Sequence, residues 1–374
     1  MTVSMKWVTA VAGARSTIAD EQSIFLQGLL LAREKRTPTL LLFVRPASMW
    51  QVMPLERETA EGGIDLLCAT TRFARNEALA TFEEMLLDIG AWVRTAREAW
   101  GYEKILLLGW SGSGTISAFY QAQAERPTLD AIADGRPLRL SEAALVPADG
   151  LIFQGAHSSR ARMLADLIDP SILDESCPSE RDATLDLYAP DAPSAPYDAG
   201  FLARYRLAQK ARISRISARA RAQLADPDIS RRQQPFIVER TMADPYYLDP
   251  TIDPNGRQPG RCWLGRPEDV NVSPGGIARV ATAESWLSQW SIEDSPADAV
   301  RSVATMRCPL LVIENSADDA VPPSHVRDVH TAAGTDDKSF ARIDGASHNY
   351  AGQPDQLRQA TAMVRNWAQE RGLA

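Results

Sequence analysis

The chain has 374 residues, 45% of them hydrophobic and 24% charged, and its formal net charge is -8 at pH 7. This composition is typical of a globular protein long enough for one large domain with an insertion or for two domains. The net negative charge argues against a nucleic-acid partner, because such a surface needs basic residues to replace phosphate counterions. No apolar run reaches the roughly 18 residues of a membrane-spanning helix, so no membrane span is predicted.

Cysteine usage favours a reducing compartment. The four cysteines are widely separated and include no C-x-x-C pair; they are Cys68, Cys177, Cys262 and Cys308. Because this spacing lacks the density of a disulfide scaffold, reduced thiols and a cytoplasmic location are predicted. The apolar run at residues 7–14 resembles a short signal peptide, but its alternation favours a first strand.

Strands and helices alternate along the first part of the chain. Residues 23–32 and 39–44 predict two strands joined by the charged turn at 33–38, as an early hairpin-like pair. A helix is predicted at about 54–61 and a strand at 64–69.

The clearest helix follows. Apolar residues between Phe82 and Trp100 recur at spacings of three and four, which predicts one apolar stripe facing a sheet. Gly101 is expected to end this helix.

An apolar run at residues 105–108 leads into Gly-Trp-Ser-Gly-Ser-Gly at 109–114 and then into a helix-like stretch. A buried strand that turns sharply into a helix, with small residues two positions either side of a serine, is the pattern of a nucleophile elbow. Ser111 is therefore the predicted nucleophile, and the frame centred on Ser113 fits less well. The glycines lack the G-x-G-x-x-G spacing of a dinucleotide site, and no lysine follows to make a phosphate loop.

The alternation is interrupted in the second half. A buried strand is predicted at 150–156, and the pattern resumes only near 309–314. Proline-rich segments and helices of a different pattern fill the stretch between them. The predicted organisation is a core formed by residues 1–157 and 301–374, with residues 158–300 inserted as a cap.

An aspartate and a histidine later in the chain complete a predicted catalytic triad with Ser111. Asp318 follows the strand at 310–314, with Asp319 as a rival one residue away, and His348 follows the last predicted strand at 338–343. Carboxyl ends of parallel strands meet at one edge of a sheet, so we expect both beside the elbow. A serine hydroxyl is a weak nucleophile and needs a base, which in turn needs an orienting carboxylate.

The chain order serine, acid, histidine is that of the α/β-hydrolases, and the motifs resemble that superfamily. Residues 108–114 resemble its GWSGGG elbow, 318–322 its D-x-x-V-P acid turn and 345–348 its G-A-x-H base turn. The resemblance covers about residues 20–157 and 305–370. It implies an α/β-hydrolase fold, with a mostly parallel sheet, helices on both faces and an inserted cap, and the chemistry of a serine hydrolase.

The remaining site residues are predicted from their positions. The N–H of Gly112 is the first oxyanion donor; Ala47 is the second, because Pro46 before it has no N–H. Trp110, His157 and Arg45 are predicted to line the substrate pocket, although Arg45 also fits a loop-holding or surface role.

The other aromatic and imidazole groups are assigned to packing or to the surface. Two roles stay open for Trp286 and Trp290, which are lining an aromatic pocket and packing in the core. His325 and His330 are expected to be structural. Because no histidine pair has H-E-x-x-H spacing, no metal and no cofactor are predicted.

These elements together predict a soluble serine hydrolase that cleaves a carboxylic ester or lactone through an acyl-enzyme. Thioesterase, amidase, acyltransferase and carbon–carbon bond hydrolase remain alternatives, since all can use the same triad. A catalytically silent binding protein is a further alternative, because fold does not fix function. The expected partner is a small ester-like molecule, and the oligomeric state, a homo-oligomer included, stays open.

Overall fold

The computed structural model describes residues 3–13, 23–47, 54–138 and 140–374. The strands are β1 (Val3–Ala12), β2 (Ile24–Arg33), β3 (Thr39–Arg45), β4 (Asp65–Thr70), β5 (Lys104–Ser111), β6 (Gly150–Ala156), β7 (Phe236–Ile237), β8 (Val280–Ala281), β9 (Leu310–Asn315) and β10 (Lys338–Ile343). The helices are α1 (Pro54–Glu61), α2 (Phe82–Arg94), α3 (Ser113–Glu125), α4 (Arg160–Leu167), α5 (Ala199–Leu224), α6 (Ile229–Arg232), α7 (Pro267–Val272), α8 (Ala283–Gln289), α9 (Ala299–Val303), α10 (Pro323–Ala332) and α11 (Pro354–Glu370).

Within the described ranges, eight strands form one sheet in the order β1-β2-β4-β3-β5-β6-β9-β10. Neighbours from β4 to β10 pair in parallel, whereas β2 is antiparallel to both β1 and β4. The central strands read as continuous apolar runs because helices cover both faces of a parallel sheet. The predicted mostly parallel α/β sheet is confirmed.

The predicted hairpin-like pairing of β2 with β3 is wrong, because β4 lies between them. Gly28 of β2 pairs with Ala69 of β4 in antiparallel register, and Leu42 of β3 pairs with Leu67 of β4 in parallel register. Every residue of β4 is buried, so this strand needs a hydrogen-bonded neighbour on each side. The crossover through α1 brings it back beside β3, as a parallel connection requires.

Two layers of helices cover the sheet. Helices α2, α3, α9 and α10 pack on one face, and α1 and α11 pack on the other. Helix α2 buries the predicted apolar stripe and continues into a π-helical turn at Thr95–Ala99. The chain then leaves the helix at Gly101, whose φ of 75° suits a residue without a Cβ.

The segment between β6 and α9 has an apolar cluster of its own. Ile213 and Ile216 of α5 pack there with Trp286 and Trp290, both of which are fully buried. The two tryptophans therefore serve as core of this segment rather than as an open aromatic pocket. The boundary predicted at residue 300 falls inside α9, a helix that packs with α3 on the same face of the sheet, and the division into core and cap stays a prediction.

A buried carboxyl group joins this segment to α2. Ser288 of α8 accepts a hydrogen bond from the N–H of Phe82 at 2.8 Å and donates its hydroxyl to Glu83. Glu83 is 2% exposed, and this burial raises the pKa of its carboxyl from 4.5 to about 7. The carboxyl therefore holds a proton more firmly in the folded state than in the unfolded chain.

The raised pKa of Glu83 makes stability depend on pH. Between pH 4.5 and about 7 the folded state binds more protons at this group than the unfolded state does, so the free energy of unfolding falls as pH rises through that window. We expect the melting temperature of the Glu83→Gln variant to fall less between pH 5 and 7 than that of the unmodified protein. Identical pH profiles of the two proteins would contradict this account.

No described helix combines the length and the hydropathy needed to cross a bilayer. The described His, Cys, Asp and Glu side chains form no group of three or more placed to hold a metal ion. All four cysteines have free thiols, and Cys68 and Cys262 are buried.

Candidate active site

Ser111 lies in the sharp turn between β5 and α3. Its φ is 55°, a left-handed conformation that costs a residue with a Cβ about 1–3 kcal/mol and persists only where the surroundings enforce it. The next residue, Gly112, has a φ of -65° and caps the N-terminus of α3. The turn therefore points the hydroxyl of Ser111 away from the sheet beside the N–H groups that open the helix.

Two glycines allow the turn to be this tight. A Cβ on Gly109 would lie 2.8 Å from Cα of Gly114, and a Cβ on Gly114 would lie 2.5 Å from Cβ of Ala156. Real Cβ atoms are not found at such distances from other heavy atoms, so strand and helix approach each other this closely only because both residues lack side chains.

The serine at the plus-two position has a structural role of its own. The hydroxyl of Ser113 accepts a hydrogen bond from the N–H of Trp110 at 2.9 Å and donates one to its carbonyl at 2.7 Å. This side chain ties the two ends of the turn together, which explains why a small polar residue fits where the pattern has glycine.

The structure brings the three residues of the predicted triad together. Nε2 of His348 lies 3.0 Å from Oγ of Ser111, and Nδ1 lies 3.1 Å from Oδ2 of Asp318. The imidazole and the carboxylate are each 2% exposed. Both distances are those of hydrogen bonds, so a proton can pass from the hydroxyl to the imidazole without any movement of the backbone.

Of the two neighbouring aspartates, Asp318 is the one whose carboxylate contacts the imidazole. Its second oxygen, Oδ1, accepts the N–H groups of Ala320 and Val321, each at 2.8 Å. Both carboxylate oxygens are thus held in place. Burial and the neighbouring Asp318 charge raise the pKa of Asp319, whose carboxyl is the more exposed of the two.

Trp110 packs flat against the base. Its ring stacks on the imidazole of His348 with centroids 4.8 Å apart and an angle of 18° between the planes. Phe43 supports Trp110 from the edge at 6.2 Å. Trp110 therefore orients the imidazole in addition to lining the pocket.

A cavity of about 130 Å³ opens over Ser111. Its described lining includes both predicted oxyanion donors; the residues are Phe43, Arg45, Pro46, Ala47, Glu77, Trp110, Ser111, Gly112, Ser113 and Arg160. The loop that carries Ala47 is anchored, because the carbonyl of Ala47 accepts the N–H of Arg75 at 2.8 Å and the Thr71 hydroxyl donates to the carbonyl of Pro46.

Arg45 lines this cavity, and an ion pair with a buried carboxylate fixes its side chain. Nη2 forms an ion pair with Glu56 at 2.8 Å, and the Glu56 side chain is 1% exposed. The guanidinium also lies over the ring of Phe43 at 4.7 Å. Arg45 thus combines a loop-holding role with a place in the cavity wall, which are two of the three roles that its position in the sequence left open.

His157 lies behind the elbow, and it is not among the described residues that line the cavity. Its backbone N–H donates to the carbonyl of Ser111 at 3.1 Å, and its ring packs edge-on against His325 at 5.4 Å. Complete burial and the neighbouring imidazoles hold the pKa of His157 well below its ordinary value. His157 thus holds the turn at Ser111 from the end of β6, and its contact with substrate stays a prediction.

No protein-family model and no curated protein matches the sequence. The structure of DcsB in complex with its substrate analogue is similar over 98% of this chain and 99% of its own, with 13% sequence identity and a TM-score of 0.54. The esterase domain of a Rhodothermus marinus protein covers 98% of both chains at 15% identity and a TM-score of 0.48. An α/β-fold family hydrolase from Bacillus anthracis covers 96% of this chain and 100% of its own at 11% identity and a TM-score of 0.43.

The order and direction of the strands and the likeness to DcsB agree. The chain has the α/β-hydrolase fold. Sequence identities this low establish the fold alone, so the chemistry must be argued from the site.

In this α/β-hydrolase fold a buried polar network supports the turn that carries His348. The hydroxyl of Tyr350 accepts a hydrogen bond from Nε2 of Gln154 and donates one to Oδ1 of Asn315, both at 2.7 Å, and Nδ2 of Asn315 donates to the carbonyl of Ser347 at 3.2 Å. These three residues are not among the site residues predicted from the sequence. The available signal was Gln154, a polar residue inside an otherwise apolar strand.

The Tyr350→Phe variant is expected to unfold with a free energy lower by about 1–3 kcal/mol, because Gln154 and Asn315 lose a buried partner. The reaction of Ser111 with a fluorophosphonate should also slow, since the turn before His348 loses its support. Chemical denaturation and the labelling rate measure the two effects. The control is Tyr188→Phe, which removes a partly buried hydrogen bond to the carbonyl of Met242 and should lower stability while the labelling rate stays unchanged.

The long segment after β6 also holds the acid turn of the α/β-hydrolase fold. Tyr246 and Asn255 donate to the backbone carbonyl of Asp318 at 3.2 and 2.9 Å, and the Tyr247 hydroxyl donates to the carbonyl of Ala320 at 3.3 Å. Asp318 is therefore positioned from both sides, by its own turn and by a segment about 60 to 70 residues earlier in the chain.

Proposed function

We propose that this protein is a serine hydrolase that cleaves a carboxylic ester or lactone through an acyl-enzyme. The observation that carries the proposal is the pair of hydrogen bonds of His348, at 3.0 Å to Ser111 and 3.1 Å to Asp318. A neutral imidazole that accepts from a serine hydroxyl and donates to a carboxylate is the arrangement that activates serine for acyl transfer.

The reaction has two halves. As Oγ of Ser111 attacks the ester carbonyl, Nε2 of His348 takes its proton and then gives it to the departing alkoxide, which leaves an ester of Ser111 and a free alcohol. Water enters next, gives a proton to the same Nε2 and attacks the acyl-enzyme, and the return of the proton to Oγ releases the acid. Asp318 stays ionised and stabilises the imidazolium in both halves.

The negative charge that develops on the carbonyl oxygen needs preorganised donors. The N–H of Gly112 at the N-terminus of α3 and the N–H of Ala47 are the donors in this proposal. Both residues belong to the wall of the cavity over Ser111. Aligned backbone N–H groups stabilise an oxyanion strongly in a site shielded from water, because they need no reorientation during the reaction.

A fluorophosphonate probe tests the proposal. The unmodified protein should be labelled at Ser111, as located by mass spectrometry; Ser111→Ala should not be labelled, and His348→Ala should react far more slowly. The control His330→Ala changes an imidazole that packs on Phe340 and should react like the unmodified protein. A protein that is not labelled, or whose labelling survives His348→Ala unchanged, is not a serine hydrolase of this kind.

The bond that is cleaved is tested with a substrate panel. Esters of increasing acyl length, lactones, thioesters and amides should be compared by kcat/KM. The proposal expects the esters or lactones to have the highest values, and a preference for thioesters or amides would overturn the ester assignment while the triad chemistry stands.

A further inference from the structure

Arg160 is a buried cation in the wall of the catalytic cavity. It is the first residue of α4, it is 8% exposed, and it lines the same cavity as Ser111. Removing a guanidinium from water costs several kcal/mol unless partners compensate it. The partners of Arg160 therefore indicate which kind of ligand group its guanidinium can bind.

Neutral partners fix the guanidinium in place. It lies over the ring of Trp290 at 4.2 Å, and its Nη1 donates to Oε1 of Gln289 at 2.6 Å. Trp290 is fully buried and Gln289 is likewise buried. Nε of Arg160 is buried and finds no acceptor among the described residues. The neutral groups thus orient the cation and leave hydrogen-bonding capacity unused.

Its anionic partner is the exposed member of the pair. Nη2 of Arg160 forms an ion pair with Glu77, and the side chain of Glu77 is 40% exposed whereas that of Arg160 is 9% exposed. An ion pair with an exposed partner gains little free energy, because water competes for the carboxylate. Glu77 can therefore turn into solvent at low cost, whereas Arg160 cannot.

The cavity is small and carries a second guanidinium. Its volume of about 130 Å³ is below the roughly 300 Å³ at which pockets for whole drug-sized ligands begin, so the enclosed part beside Ser111 holds a short group of the ligand. Arg45 lines the same cavity, and its own partner Glu56 is held in the interior at 1% exposure. The cavity wall thus holds two guanidiniums, and Arg160 is the one whose paired carboxylate is exposed.

We propose that Arg160 determines specificity by binding a carboxylate of the substrate in place of Glu77. The substrate class is then an ester that carries a carboxylate near the scissile carbonyl, such as the half-ester of a short dicarboxylic acid. Arg160 presents a planar fork of donors that matches a carboxylate with two parallel hydrogen bonds. This inference rests on the proposed hydrolase function for the substrate's reaction, but the binding step does not depend on catalysis.

Binding is measured by calorimetry on the Ser111→Ala protein, which cannot turn the ligands over. Monomethyl succinate is compared with methyl 4-methylpentanoate, its neutral counterpart of the same shape. We expect the half-ester to bind more tightly. Adding Arg160→Met should weaken its binding at least about tenfold, because hydrogen bonds to a charged group are lost. Adding Glu77→Gln should tighten it, because the competing carboxylate is removed.

The opposite signs of these two effects separate recognition from a structural ion pair. A purely structural pair would make both variants change binding in the same direction and to the same extent for both ligands, which would overturn the inference. The control Arg162→Met removes a cation two residues further along α4, 48% exposed and paired with Asp298, and should leave the binding of both ligands unchanged. If Arg160→Met does not fold, tighter binding of the half-ester to Glu77→Gln supports the inference, and unchanged binding overturns it.

Turnover by the protein with Ser111 intact distinguishes the two proposals. Hydrolysis of neutral esters without any preference for the half-ester would overturn the role of Arg160 and leave the hydrolase function standing. Binding of the half-ester that depends on Arg160, without hydrolysis of any ester, would support the inference and overturn the ester hydrolase.

Discussion

Replacing Asp318 with asparagine is expected to slow the labelling of Ser111 by a fluorophosphonate on the order of 10⁴-fold, the effect this change has in a serine protease triad. Oδ1 of Asp318 accepts the N–H groups of Ala320 and Val321. In the variant the amide oxygen must take that place, so the amide NH₂ faces Nδ1 of His348. An imidazole that accepts at Nδ1 carries its proton on Nε2 and cannot take the proton of Ser111.

The matched change is Asp319→Asn. It removes the same charge one residue along the same turn, but the carboxylate that contacts the imidazole is that of Asp318. We expect its labelling rate to stay near that of the unmodified protein, and circular dichroism should show both variants folded. A large loss in Asp319→Asn with little loss in Asp318→Asn would exchange the two assignments.

A single methyl group on Gly114 is expected to disrupt the elbow. The new Cβ would lie 2.5 Å from Cβ of Ala156 and 2.7 Å from Cε2 of Phe153, and both residues are completely buried in β6. Neither can move aside, so α3 must shift and carry the turn at Ser111 with it. Overpacking of this kind costs about 1–3 kcal/mol. Gly114→Ala should therefore lower the melting temperature by several degrees and strongly reduce labelling.

Gly112→Ala is the control two residues earlier. A Cβ at Gly112 meets no atom within 4 Å, and its φ of -65° is allowed for alanine. The proposed oxyanion donor is the backbone N–H, which alanine keeps. Its melting temperature should match that of the unmodified protein and Ser111 should remain reactive. Equal stability of Gly112→Ala and Gly114→Ala would contradict the close-packing argument.

Local sequence patterns predicted the parts of the fold that are set by nearby residues. The strands at 150–156 and 338–343 have the predicted bounds, because continuous apolar runs between turn residues are local signals. The pairing of β2 and β3 was wrong because strand order depends on where a later strand, β4, enters the sheet. No local pattern in residues 23–44 carries that information.

The residues of the candidate site also fall into those that local patterns predict and those whose contacts depend on distant parts of the chain. Ser111, Asp318 and His348 stand in motifs of a few residues, so their types and order are visible in the sequence. The direction of a side chain is not visible in the sequence, since it depends on distant partners. His157 follows the expected strand but turns into the interior against His325. The contact between Arg160 and Glu77 joins residues 83 positions apart, and no spacing rule relates them.

The hydrogen bonds from Tyr246 and Asn255 to the carbonyl of Asp318 limit how freely the segment between β6 and α9 can be exchanged. An engineer who exchanges the segment between β6 and α9 to change selectivity also removes two of the donors that fix the acid. A transplanted segment must supply equivalent donors at the same carbonyl, or activity falls whatever substrate its new pocket fits. Selection on this segment is therefore expected to act on catalytic rate as well as on substrate choice.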